Sequence, residues 1–478
     1  MRNPLPCGVF ILCSLLSNVF AADQPAAYPP PEFGDTSALG GNVQRTMRLL
    51  AGSTPQNRNT VRILFYGQSI TEQRWWQAVA DDLRARFPHA NLVIENRALG
   101  GFASQMLVKT AETDLYPFYP DLLIFHVYGA HDSYEDIIRR VRERTTAEIL
   151  QQNDHVTKPA DFGEETDPVK LWPPNGKLWD AFMNHNWLPA VSKRYNTELC
   201  DQRSFWKRYL TDNQLQPRQL LVDGVHLNAQ GEFLMSRCVE AYLRYDPKLG
   251  SAAADGWVKT YEVGKDLAWR DGKLRLAFDG NRVDVIVKPG AAPAAVKIDG
   301  RRPSEFPELY GFTRTHAKPG GKWPPIAPLR SEKPLVLEDW TMAVVKDRND
   351  PKTYRFTLRG SKTGPDGDGQ SNARFLSRSG RIAIEPQDWN VEYALMLAQV
   401  KPAPDRFSVT WSVVPHFVDQ FASPGINDPA VETSVTLAQG LANAPHILEI
   451  TGSDKTPIAA VRVYRPPLKA NGTAPRLQ

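Results

Sequence analysis

The stretch Val61-Arg62-Ile63-Leu64-Phe65-Tyr66-Gly67-Gln68-Ser69-Ile70-Thr71 decides the fold class of this chain. Its first six residues read as a short apolar strand that stops at Gly67. A helix is predicted over about 72–88, with Trp76, Val79, Leu83 and Phe87 spaced onto one face ahead of Pro88. Leu92-Val93-Ile94 reads as the next strand. Asp121-Leu122-Leu123-Ile124-Phe125-His126-Val127-Tyr128 is apolar almost throughout, the mark of a strand covered on both faces. A helix over about 134–152, a loop with Pro and Trp, and a helix over about 186–195 follow. Strands alternating with helices in this way predict an α/β fold, a three-layer α/β/α domain with a parallel sheet, over 61–248.

Outward from that domain the character changes twice. Residues 22–60 are rich in Pro, Gly, Asn and polar side chains and read as a Pro-rich linker or a strap over the surface. Residues 1–21 carry Arg2, an apolar run from Cys7 to Leu16, and Val19-Phe20-Ala21 as a cleavage site, which predicts a signal peptide and a periplasmic or secreted protein. That run is too short for a permanent membrane anchor, and no later stretch approaches ~20 apolar residues. Over 249–478, short alternating runs such as Lys273-Leu274-Arg275-Leu276-Ala277-Phe278 and Phe407-Ser408-Val409-Thr410-Trp411 lie between Gly, Pro, Asn and Asp clusters. They predict an all-β sandwich region of one or two modules. Gly364-Pro365-Asp366-Gly367-Asp368-Gly369 reads as a plain turn, with a calcium loop as the alternative; it lacks a terminal Glu.

The chain has 478 residues, more than one ordinary core accommodates. With 42% hydrophobic and 23% charged residues it is globular in composition, and a net charge of +4 without a basic tail gives no reason to expect nucleic acid as a partner. Arg139-Arg140-Val141-Arg142-Glu143-Arg144 reads as a solvated helix face. Leader cleavage leaves Cys200 and Cys238, either a disulfide or two separate buried thiols. No ligand spacing calls for a metal, and no cofactor is expected.

A serine between a buried strand and a helix start sits at the C-terminal edge of a parallel sheet, where α/β ligand sites form. Free N–H groups and the helix dipole there favour a developing oxyanion, although Ser69 would equally serve as a helix cap. Asp223-Gly224-Val225-His226-Leu227-Asn228 follows apolar Leu220-Leu221-Val222 and precedes a helix from about 229. An Asp and a His three residues apart on a tight loop can bond each other, the carboxylate orienting the imidazole toward a nucleophile.

These motifs in this order resemble the SGNH (GDSL-type) hydrolases. Gly67-Gln68-Ser69 matches the first block, with Ser69 as nucleophile. Asn96 to Gly101 matches the second, Gly101 being the oxyanion glycine, and Gly129-Ala130-His131-Asp132 matches the third. Asp223 to His226 matches the D-x-x-H block. The resemblance implies a catalytic triad of Ser69, Asp223 and His226 and an oxyanion hole of Ser69, Gly101 and His131. In two places the chain departs from the pattern: Gln68 replaces the usual Asp, and His131 stands where the family has Asn. His131 either donates to the oxyanion or is a structural turn residue. His126, inside its apolar strand, reads as a hydrogen-bonded core histidine. Trp172, Trp179 and Trp187 are core candidates or a sugar-stacking platform.

By analogy with secreted polysaccharide-active esterases, the implied substrate is a glycan bearing an O-acyl, most simply acetyl, group. The stretch Gln439 to Ile450 resembles an edge strand and turn of a carbohydrate-associated jelly roll. Two alternatives stand beside this: hydrolysis of another substituent, such as a phosphodiester on a periplasmic glycan, and glycan binding without catalysis.

Overall fold

The computed structural model describes residues 28–172, 178–250 and 254–469; the signal-peptide expectation lies outside them. In chain order the first part contains α1 (Gln44–Ala51), β1 (Thr60–Gly67), α2 (Ser69–Glu72), α3 (Trp75–Arg86), β2 (Asn91–Asn96), α4 (Ser104–Asp114) and β3 (Leu122–His126). It continues through α5 (His131–Arg144), β4 (Glu148–Gln152), α6 (Trp179–Phe182), α7 (Leu188–Tyr195), β5 (Glu198–Cys200), α8 (Gln202–Asp212) and α9 (Ala229–Glu240). The five strands form one sheet in the order β2-β1-β3-β4-β5, every pair parallel.

Alternation along the strands builds the three layers. Val61, Ile63 and Phe65 of β1 and Leu122 and Ile124 of β3 face one core, with Val79 and Leu83 of α3 and Leu234 and Val239 of α9. Leu64 and Tyr66 of β1 and Leu123 and Phe125 of β3 face the other, with Leu107 of α4 and Ile137, Ile138 and Val141 of α5. Each such aliphatic or aromatic side chain, essentially fully buried, stabilises the fold by roughly 1.5–3 kcal/mol relative to exposure.

The segment expected as a linker or strap is partly core. Val43, Met47 and Leu50, at helical spacing, are buried against β1. The Arg45 and Thr46 N–H groups at the start of α1 donate to the buried Glu148 carboxylate at 2.9 and 2.7 Å. Nor is the Arg139–Arg144 run a solvated face throughout. Arg142 is 1% exposed and donates to the carbonyls of Tyr195, Ala147 and Asn196, because it lies on the sheet side of α5 beside Val141. The other three arginines are paired with Asp136, Glu143 and Glu112. Cys200 and Cys238 are separate buried thiols, the Cys200 Sγ lying 3.6 Å from the Cys238 carbonyl oxygen.

The β-sandwich region follows, with β6 (Val258–Glu262), β7 (Lys273–Val287), β8 (Ala294–Ile298), β9 (Tyr310–Phe312), β10 (His316–Lys318), β11 (Asp339–Lys346), β12 (Tyr354–Gly360) and β13 (Gly364–Gln370). After these come β14 (Phe375–Leu376), β15 (Ala383–Ile384), α10 (Val391–Leu397), β16 (Arg406–Pro415), β17 (Gln420–Phe421), β18 (Ser434–Thr451) and β19 (Ile458–Tyr464). One antiparallel sheet runs β17-β8-β18-β7-β19-β6; the other runs β10-β16-β11-β12-β13, with β9 also on β16. Each has its own apolar core. Because β17 pairs with β8, everything from β9 to β16 is an excursion inserted into the first sheet.

Two expectations fail here for tertiary reasons, the second in part. Gly364 to Gly369 belongs to a strand, neither a turn nor a calcium loop. Its glycines make room for rings, since a Cβ on Gly369 would meet Phe356 at 2.7 Å and Phe375 at 2.8 Å. The Asp366 carboxylate accepts hydrogen bonds from the Ser379 N–H and hydroxyl at 2.8 and 2.7 Å. The stretch Gln439 to Ile450 is an edge only in part: Leu448 to Ile450 of β18 lie between β7 and β8, whereas Gln439 and Ala444 to Ile447 pair with β7 across a register break.

Candidate active site

Gly67 closes β1 where it meets β3. A Cβ there would lie 2.2 Å from the His126 carbonyl oxygen and 2.4 Å from Thr71 Oγ1, so only glycine permits the turn that presents Ser69. The helix after Ser69 is a single turn, α2, separated from α3 at Gln73 and Arg74. The expected helix dipole is therefore small, and what the turn offers an anion is its first N–H groups.

Opposite Ser69 stands the loop between Leu221 and Leu227, which bridge each other. His226 Nε2 is 2.9 Å from Ser69 Oγ, and His226 Nδ1 is 2.8 Å from Asp223 Oδ2. Asp223 Oδ1 accepts the N–H groups of Val225 and His226, both at 2.7 Å. The His226 N–H bond, followed by the His226 ring and the Val225 N–H, holds the Asp223 carboxyl down at about 2. It is ionised at any working pH and orients the imidazole with Nδ1 as the donor.

Two side chains outside the motifs hold that loop. Gln73, just after α2, pairs with the Leu227 backbone twice: its amide donates to the carbonyl at 2.8 Å and its oxygen accepts the N–H at 2.9 Å. His155, 1% exposed, contacts the Val225 carbonyl through Nε2 at 2.8 Å. Since a carbonyl only accepts, His155 Nε2 carries the proton. Burial lowers its pKa to about 4, against the pull of the Val225 bond, so the ring is neutral at working pH. Neither residue carries a motif signal; both act through backbone atoms of a distant segment.

Gly100 and Gly101 form the turn after β2. The Leu99 N–H donates to the Gly67 carbonyl at 2.9 Å, tying this turn to the end of β1. The Gly100 N–H is committed to Glu72 at 2.6 Å. Gly101 has φ +81°, a conformation that glycine adopts without strain. Asn96 shapes the turn: its oxygen accepts the Ala98 N–H at 2.9 Å and its amide donates to the Thr71 carbonyl at 2.6 Å.

His131 opens α5, and its ring is sandwiched between Trp179 at 4.1 Å and Trp187 at 4.5 Å, nearly parallel to both. Burial lowers its pKa to about 4, against the nearby Asp132, so it is a neutral imidazole at working pH. No hydrogen bond joins it to Ser69, Gly101 or His226 among the described residues. Trp187 is buried, while Trp172 and Trp179 are 61% and 42% exposed. The pair that stacks on His131 is eight residues apart on adjoining helical turns, one of them the π-helical Met183–Trp187. His126 is a core histidine, with Nδ1 3.0 Å from the Gln152 carbonyl and Nε2 3.3 Å from Asp154.

No family model matches this sequence, and no curated protein matches it. Among solved structures it is similar to a two-domain esterase active on acetylated mannans, with 14% identity over 90% of this chain and 96% of that one, at a TM-score of 0.34. It is also similar to an acetylxylan esterase from Geobacillus stearothermophilus (17% identity, 40% of this chain, 98% of that one, TM-score 0.32) and to the acetyl xylan esterase AlAXEase (19%, 38%, 98%, 0.31). At these identities and scores the likeness bears on no residue's role.

Proposed function

We propose that the chain is an exported serine ester hydrolase that removes O-acyl groups, acetyl being the simplest, from a polysaccharide or oligosaccharide. The observation that carries this is the Asp223–His226–Ser69 relay, with contacts of 2.8 and 2.9 Å at the C-terminal edge of the sheet. Ser69 Oγ attacks the ester carbonyl carbon while its proton passes to His226 Nε2, and Asp223 stabilises the imidazolium. The carbonyl oxygen takes up the negative charge and is held by the Ser69 and Gly101 N–H groups, with neutral His131 as the third donor. Collapse expels the sugar oxygen, which takes the proton from His226, and water then releases the acid by the same steps in reverse. Gly101 is favoured over Gly100 because the Gly100 N–H is already bound to Glu72.

The exposed Trp179, stacked on His131, and the exposed Trp172, which packs on Phe182, suit the faces of a pyranose ring. The leader-like N-terminus supports export. Hydrolysis of p-nitrophenyl acetate, and acetate release from acetylated xylo- and manno-oligosaccharides, should be abolished in Ser69→Ala. A slow rate equal in wild type and variant would sink the proposal and favour glycan binding.

A further inference from the structure

The turn that carries Gly101 is gripped from the excursion between β9 and β16. Trp323 Nε1–H donates to the Gly100 carbonyl at 2.8 Å, and the Tyr393 hydroxyl donates to the Gly101 carbonyl at 2.8 Å. Packing makes the grip close: Tyr393 of α10 stacks on Phe102 at 6.1 Å, and a Cβ on Gly101 would meet Leu397 at 3.0 Å and Tyr393 at 3.1 Å. The segment bearing Trp323 is itself pinned to the α/β domain. Arg314 donates to the Lys322 carbonyl at 2.8 Å and pairs with the buried Asp114, at 3.0 Å through Nε and 2.8 Å through Nη2. Lys322 forms an ion pair with Glu72, the carboxylate that holds the Gly100 N–H.

The Gly100 carbonyl and the Gly101 N–H belong to one peptide unit. A donor on the carbonyl draws electron density through the amide and makes the N–H a better donor, by about 10–30% per bond in a hydrogen-bonded chain. It also fixes the peptide plane, and with it the direction of the N–H. We propose that Trp323 is a positioning residue for the oxyanion: it orients and polarises the peptide whose Gly101 N–H receives the developing charge. Tyr393 fixes the next peptide in the same way, so the inserted β excursion completes the hydrolytic site. This rests on reading the Gly101 N–H as an oxyanion donor.

The test uses the whole chain. Trp323→Phe keeps an aromatic ring and removes the N–H; Tyr393→Phe, on a partly exposed helix, removes only the hydroxyl. With p-nitrophenyl acetate, each should lower kcat by about two- to twelve-fold, the range of one net hydrogen bond, and leave KM within about twofold. The second measurement is inhibition by a small trifluoromethyl ketone. There Ser69 Oγ bonds to the ketone carbon, its proton goes to His226, and the ketone oxygen becomes an anion. Its inhibition constant should rise by the same factor as kcat/KM falls. Unchanged kcat and inhibition constant in both variants, with Ser69→Ala inactive, overturns the clamp alone, as does a rise in KM at constant kcat. A Ser69→Ala variant as active as wild type overturns the catalytic reading and the clamp with it.

Discussion

Replacing His155 with Phe should separate activity from stability in a way that depends on pH. The ring lies on Trp206 at 5.3 Å, and Phe keeps that contact. What disappears is the Nε2–H bond to the Val225 carbonyl, together with a buried Nδ1 that has no hydrogen-bond partner among the described residues. Removing both leaves Val225, which is 41% exposed, free to bond water, so the change in stability at pH 7 should be under about 1 kcal/mol. The loop carrying Asp223 and His226 nevertheless loses one of its ties to the domain beneath it. A net bond of roughly 0.5–1.5 kcal/mol spent on alignment predicts a two- to twelve-fold fall in kcat for p-nitrophenyl acetate. The second signature comes from titration. Wild-type His155 has a folded pKa of about 4 against 6.5 for the free group, so between these values the unfolded chain binds the proton and the native chain does not. Stability therefore falls as pH drops through that window, by ~3 kcal/mol in total, and His155→Phe abolishes this contribution. Urea unfolding of both proteins at pH 7, 5.5 and 4.5 reads the difference directly: the variant should gain on the wild type with acidification. Equal slopes at all three values, or an unchanged kcat, would refute the reasoning.

Three further changes test other parts of the site. Gly101→Ala places a Cβ at φ +81° against Leu397 and Tyr393; it should cost about 1–2 kcal/mol of stability and lower kcat at least tenfold, read by thermal melting and steady-state rates. Glu164→Gln weakens the partners of Arg203, which is 2% exposed and bound to both carboxylate oxygens at 2.7 and 2.6 Å. Arg203 keeps the His155 carbonyl at 3.1 Å, so we expect the low end of the buried-pair penalty, about 3 kcal/mol in urea. Burial raises the Glu164 pKa, but Arg203, His185 and Lys207 together outweigh it and hold the carboxylate well below its usual range. That contribution is present above the unfolded pKa and lost on acidification, so the variant should unfold with a flatter acid limb. Trp172→Ala should raise KM for an acetylated oligosaccharide several-fold while p-nitrophenyl acetate turnover stays constant; equal effects on both would remove Trp172 from the sugar site.

The readable parts of this fold were those whose signal is local. β1 and β3 show as apolar runs because both faces are covered, and the places of Ser69, Asp223 and His226 show because a strand end and a tight loop are set over a few positions, while their roles came only from the resemblance. Whether a strand is central is decided by its neighbours, so the end of β18 looked like an edge although Leu448 to Ile450 are flanked by β7 and β8. The glycines of β13 look like a turn until Phe356 and Phe375 are laid over them. The spacing of Val43, Met47 and Leu50 was present in the sequence, but the surrounding Gly, Asn and Pro obscured it. Gln73, His155, Trp323 and Tyr393 left no trace, since each recognises a backbone carbonyl or N–H, and every residue carries those.

That distinction explains why the two halves of the site are built so differently. The loop of Asp223 and His226 is exposed, with those side chains at 56% and 38%, and apolar burial holds little of it. Its geometry comes from internal bonds around Asp223 and from His155 and Gln73 beneath. The turn of Gly100 and Gly101 is instead closed from outside, by Trp323, Tyr393 and Leu397 of the excursion. Such a turn cannot be independent of the β region. Without it the Gly100 and Gly101 carbonyls lose their donors, and Asp114, 3% exposed, loses the guanidinium that compensates its charge. The coupling extends past the site as well: Asn281 donates to the Arg144 carbonyl at 2.8 Å and accepts from the Tyr119 hydroxyl at 2.9 Å, joining β7 to the far end of α5. A region that supplies partners for buried polar groups at both places is part of the same folded unit.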